Sequence, residues 1–361
     1  MKKTIISVLI MILLISTLFI TGCSKKEDTA AADGSEKAVE AEPLKVVLYL
    51  NGTLGDKSFF DSANEGVLRA GSELGARVKV IEGGYDASRW EPDITQLCEG
   101  DWDIIIAGTW QTQEILEKLA PLNPDKRFFT YDTSVSYDKG GLDNVYSILY
   151  LQNEASFLVG ALGALITTSD MPLANADKSM GFLGGMDIDV INDFKVGYLE
   201  GAAYIDPAID VKVAYAGAWN DPAKGKELTL AFFDQGADVS FNVAGETGLG
   251  GLDAAKEAGK YTFGVDSDQY ALFAESDPEK AEKIVTSMLK NVGNSLYRGI
   301  KMHQEGTLVY GQPEALGIAE GGVGIAKNEN YKKVVPAEFQ EKIEEIEGKI
   351  LAGEIKVSSA F

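Results

Sequence analysis

Short apolar runs recur along the chain, and longer stretches with helical spacing separate them. KVVLYL (45–50), RVKVIE (77–82), DIIIAG (103–108), RFFTYD (127–132) and VYSILY (145–150) predict strands. Between them SANEGVLRAGSELG, a stretch ending at DITQLCEG, and TQEILEKLAPL predict helices, the first with Val67, Leu68, Gly71 and Leu74 at helical spacing. NEASFLVGALGALI then reads as a helix whose small residues allow close packing. The pattern restarts: SMGFLGG, DVKVAYAG, DVSFNV and YTFGVD predict strands, each followed by a helical stretch, the last being EKAEKIVTSMLKNVGNSLYRGI (279–300). Two series of βα units predict an α/β protein with two doubly wound parallel sheets. Runs that are apolar throughout suit strands covered on both faces.

The N-terminal pattern is different. MKK precedes the apolar run TIISVLIMILLISTLFI, then ITGC, which ends at Cys23. This is a secretory leader, and the cysteine after Gly22 resembles the lipobox of bacterial lipoproteins. That resemblance implies cleavage before Cys23 and lipidation of Cys23; the alternative is an uncleaved membrane anchor. Residues 24–43 have no aromatic residue and no apolar periodicity, as in a flexible tether. The expected division is a leader at 1–22, a tether at 23–43, and two lobes. The remainder exceeds the roughly 250–300 residues over which one core usually extends.

Composition narrows the functional classes. With 33 basic and 55 acidic residues the net charge is −22, which repels nucleic acid. After Cys23 only Cys98 remains, so no intramolecular disulfide is available, and its spacing from Ile94 suits a buried apolar residue. A single histidine, His303 in the helix-tail sequence KMHQEG, makes a histidine-based triad or a multi-histidine metal site impossible or nearly so. GLGGLDAAKEAG has Asp253 where a dinucleotide loop needs its third glycine, and SMLK (287–290) matches S-x-x-K without the accompanying K-T-G. No cofactor and no metal are expected.

In doubly wound sheets the ligand crevice lies at the carboxyl ends of strands. Asp56 to Phe60, Thr109, Trp110 and Asp132 fall there in the first half, and MDIDVIND, Trp219, AGETG and Asp266 in the second. Ser58 and Asp61 have the spacing of a capping box, which leaves the adjacent Phe59 and Phe60 unexplained. One ring can pack the helix start while the other faces the cleft. Aromatic faces with carboxylates suit a flat, hydroxyl-rich ligand. Asp132 and Asp266 could also imitate a glycosidase acid–base pair.

GDKSFFDSANEG, FLGGMDIDVINDFKVGYLEGA, WNDPAKGKELTLAFFDQGADVSFNVAGETGLGGLDAAKEAGK, GVDSDQ and TSMLK together resemble the basic membrane protein family of ABC-transporter substrate-binding lipoproteins. The resemblance spans roughly residues 45 to 300. It implies a type I periplasmic-binding-protein fold with three crossovers, one lobe of 44–151 plus about 292–325 and another of 152–291 plus about 326–361. It implies capture of a purine nucleoside for ABC permease subunits, by a protein held to the membrane through lipid on Cys23. Phe59 would stack on the base, Asp132 would bond the base side, and Asp266 with Lys290 would hold the ribose. Trp219 would supply a second ring, and Asn192 and Glu246 are further pocket candidates. Phe60 in place of a polar residue, and Trp219 in place of a smaller ring, widen the slot and keep riboflavin or another planar solute as the alternative. The rival class is catalytic, a nucleoside hydrolase or glycosidase.

Overall fold

Strands form where both faces of an apolar run find cover. The structure is a computed structural model that describes residues 42–361. The leader (1–22), Cys23 and the tether as far as residue 41 lie outside the described residues. The strands are β1 (Lys45–Leu50), β2 (Arg77–Glu82), β3 (Ile104–Ala107), β4 (Arg127–Tyr131), β5 (Val145–Tyr150), β6 (Ser179–Gly184), β7 (Asp210–Tyr215), β8 (Ala237–Val243), β9 (Tyr261–Asp266), β10 (Ile284–Lys290), β11 (Gln312–Leu316) and β12 (Val323–Ile325). They make two six-stranded sheets, ordered β11-β5-β4-β3-β1-β2 and β12-β10-β9-β8-β6-β7. Every pairing is parallel except β10 with β12. In β8 and β9 every residue is buried, as helices on both faces require.

The chain crosses between the sheets three times. It leaves the first after β5 through the helix Gln152–Thr167 and returns after β10 through the helix Val292–Gln304. It crosses again between Leu316 and Val323, earlier than the boundary expected near residue 325, because Val323–Ile325 already pairs with β10. Each of the first two crossover helices is packed closely against a neighbour. A Cβ on Gly66, in the helix Phe59–Leu74, would collide with the carbonyl oxygen of Gly293, and one on Gly197 would collide with that of Asn153. Those glycines let backbone meet backbone, which a larger residue would prevent.

The stretch 279–300, expected to be helical, instead contains a short helix (Pro278–Ala281), β10, and the crossover helix. Ile284, Val285 and Thr286 are β-branched and fully buried, and β10 lies between β9 and β12, so tertiary cover on both sides overrides the helical spacing.

Candidate functional site

In each sheet the first strand of the series sits inside the second, so β1 neighbours β3 and β6 neighbours β8. Chain connections leave these neighbours in opposite directions, and a crevice opens at their carboxyl ends. Asn51 and Thr109 stand at the first switch point, Gly185 and Gly245 at the second. A cavity of about 680 Å³, including its mouth, lies between the two sets of strand ends.

The loop after β1 is organised by a buried carboxylate. Asp56 accepts backbone N–H groups from Ser58, Phe60 and Asp61, and so satisfies the start of the helix Phe59–Leu74. Ser58 occupies the N-cap position without capping through its side chain, and Asp61 binds back to the N–H groups of Gly55 and Lys57. The expected capping box is therefore absent. The Ser58 hydroxyl donates to Asp266 Oδ2 across the cleft at 2.7 Å instead. Two further hydrogen bonds join the same loops: Ser267 Oγ to the Ser58 carbonyl, and Gln269 Nε2 to the Lys57 carbonyl.

The two phenylalanines divide their work. Phe60 is buried among Ala63, Val67 and their neighbours, with its ring against Gly52. Phe59 is half-buried, lies 5.4 Å from the Tyr131 ring, and lines the cavity. Trp219 lines it from the other lobe, its ring laid on Gly185, where a Cβ would strike it.

Lys290 ends β10, where the chain turns back toward the first lobe. Its ammonium meets Asp132 Oδ1 at 2.5 Å, with side chains 2% and 11% exposed. The same ammonium lies 4.6 Å from the Phe194 ring centre, 5.5 Å from Tyr150 and 5.7 Å from Phe59, within cation–π range of each. Lys290, expected to hold the ribose together with Asp266, is paired with Asp132, while Asp266 accepts from Ser58. The ammonium meets Asp132 because that residue follows β4 directly, at the strand end that faces the end of β10. Asp132 and Asp266 both have left-handed backbone, at φ 62. Such strain in residues other than glycine is characteristic of functional loops.

Electrostatically the cavity is acidic. Asp56, Asp132, Glu246 and Asp266 line it, against Lys290 as its one lining cation among the described residues. Burial pushes Asp56 up to about 6, opposed by its three backbone donors. Burial pushes Asp266 up to about 7, opposed by the charge of Lys290 and the Ser58 hydrogen bond. Asp132 is raised by burial as well, with Lys290 opposing.

Of the residues singled out in the sequence, Phe59, Phe60, Asp132, Trp219, Glu246, Asp266 and Lys290 line the cavity, and Asn192 does not. The Asn192 amide donates to Asp187, and its carbonyl accepts from the Tyr215 hydroxyl, so it is occupied on the flank of the lobe. The sequence reading missed Asn51, Tyr85, Gln111 and Phe194, all of which line the cavity. Asn51 follows β1 directly and Tyr85 comes two glycines after β2, and that placement could have found them. Phe194 lies inside a helix and carries no such mark. Cys98 is buried, and burial lifts its thiol to about 11, as for an unreactive apolar residue.

Two wound lobes, three crossings and a cavity bounded by facing strand ends define a type I periplasmic-binding-protein fold, a solute-binding architecture. The chain belongs to the PnrA-like family of ABC transporter substrate-binding proteins, whose family model matches residues 44–360. It is 28% identical to basic membrane protein A of Borreliella burgdorferi, over 98% of this chain and 95% of that one. It is also 28% identical to the ABC transporter nucleoside-binding protein BmpA of Lactococcus lactis, over 97% and 99%. A solved ABC transporter solute-binding protein from Aeropyrum pernix superposes with a TM-score of 0.77 at 28% identity, covering 88% of this chain and 94% of that one. Membership makes the protein a solute-binding component of an ABC transporter, acting outside the cytoplasm, with a small-molecule ligand and permease subunits as partners. Among the described residues no helix is long and apolar enough to cross a membrane.

Proposed function

We propose that the protein captures a purine nucleoside between its lobes without altering it, and delivers it to the permease while held to the membrane by lipid on Cys23. The observation that carries this reading is one cavity lined by rings from both lobes, Phe59 and Trp219, and by the carboxylates of Asp132 and Asp266. Rings stack on a flat base, contributing roughly 1–3 kcal/mol each. Carboxylates accept hydroxyl and ring N–H donors in charge-assisted hydrogen bonds. Asn51 adds an acceptor, since its amide donates to Thr109 and Gln111 while Oδ1 has no protein partner. The one lining ammonium is already engaged by Asp132, so a phosphorylated ligand would meet mostly negative charge; an uncharged nucleoside fits better than a nucleotide. The nucleoside-binding name of the Lactococcus relative agrees with this reading. Riboflavin is the second reading, favoured by the width of Trp219.

Calorimetry with adenosine, guanosine, inosine, riboflavin and the corresponding monophosphates tests it, followed by chromatography of the mixtures. Nucleosides should bind, be recovered intact, and exceed their monophosphates in affinity. Stoichiometric release of free base would overturn the reading in favour of a hydrolase. Cys23→Ser should block lipid attachment and cleavage of the leader at that site, which the mass of the exported chain reads, and a chain starting at Leu44 should bind with unchanged affinity.

A further inference from the structure

Trp110 is the first residue of the helix Trp110–Leu119. It lines the cavity, yet 49% of its surface is exposed. The chain goes to some cost to put it there. Thr109, a β-branched residue, is held at φ 72, a conformation that L side chains with a branched Cβ rarely adopt. Its neighbours are fixed on both sides. The Asn51 amide donates to Thr109 Oγ1 at 2.8 Å and to Gln111 Oε1 at 3.0 Å, and the Thr109 N–H donates to the Tyr131 carbonyl. Thr112 Oγ1 closes the turn onto the Gly108 carbonyl at 2.7 Å. A ring flanked by fixed residues but left half open at a cleft mouth has no packing role that would explain the strain.

Resting on the reading of the cleft as a planar-ligand site, we propose that Trp110 is a specificity-determining residue, an outer ring at the mouth that covers the part of a fused-ring ligand reaching beyond Phe59 and Trp219. It selects for longer flat systems: a tricyclic ligand reaches it, whereas a bicyclic purine is covered chiefly by the inner rings. A large indole face is suited to this, since it offers contact area at little entropic cost.

The test is calorimetry of wild type, Trp110→Ala and Trp110→Phe with adenosine and riboflavin, alongside ligand-free thermal melts. Trp110→Ala should lose about fivefold or more in riboflavin affinity, the low end of a lost stacking contact. Adenosine affinity should change less, Trp110→Phe should recover most of the loss, and the ligand-free melting temperature should not move. An unchanged or uniform effect on both ligands overturns the assignment. So does wild type that binds adenosine but not riboflavin, which leaves the nucleoside reading standing. Wild type that binds neither overturns both.

Discussion

Asp266 carries more of the cleft's chemistry than its side chain suggests. It is buried, raised to about 7, and bonded to Ser58 across the lobes. With Asp56, raised to about 6, it holds a proton more tightly in the folded chain than the ordinary carboxylate value of 3.8 allows. Their contribution to the stability of the ligand-free protein is therefore fully present below pH 3.8 and is lost as pH rises through 6 to 7. Ligand hydroxyls donated to Asp266 favour its ionised form, so binding should expel a proton and tighten as pH climbs from about 5.5 to 8. Calorimetry near pH 6.5 in buffers of differing ionisation heat, just below the value of about 7 at which Asp266 is half protonated, reads the proton directly. Asp266→Asn should abolish the release; proton uptake on binding would contradict the assignment. The two phenylalanines separate the same way. Phe59→Ala should weaken ligand by about 1–3 kcal/mol with little change in the ligand-free melt. Phe60→Ala should cost about 3–5 kcal/mol of stability. Equal behaviour of the two variants in melts would show that neither ring is reserved for the ligand. The placement of these residues at strand ends was legible in the sequence. The partner of Ser58 was not, since Asp266 lies 208 residues away and a local capping pattern fits the same two letters equally well.

At the scale of elements, nine of the strands follow runs read directly from the sequence; the inner ones are apolar because both faces are covered, whereas the edge strands β2 and β7 keep Lys79 and Lys212 among their apolar residues. The failures have a physical source. β10 lies inside a stretch of helical spacing, and only its burial between β9 and β12 selects the extended form. β11 reads QPEAL and is mostly exposed along its length, so it carries no apolar signature at all; it is a strand because β5 offers it an edge. Helix contacts were legible in kind but not in pairing. Small residues in NEASFLVGALGALI announced close packing, and there the Gly160 backbone meets the Tyr198 carbonyl; the meeting of Gly66 with Gly293 carried no such reading. Gly66→Ala should push the crossover helix Val292–Gln304 off the helix Phe59–Leu74 and destabilise the fold by about 1–3 kcal/mol or more, as overpacking does. Chemical denaturation measures it. A variant as stable as wild type would mean that the two helices separate without cost.

Across the whole molecule, the three crossings mean that neither lobe is a continuous piece of chain. The first sheet lacks its outermost strand until Gln312–Leu316 is present, and the second until Val323–Ile325 is. Domains ordinarily fold in the order in which they are made. Here the first half cannot finish before the second has been synthesised, so β5 presents an unpaired edge throughout the interval, a template for association with other chains. Completion of both lobes is postponed to the same late moment. A chain that works outside the cytoplasm thereby carries a built-in delay: its own topology keeps the first lobe from setting before Gln312–Leu316 has arrived.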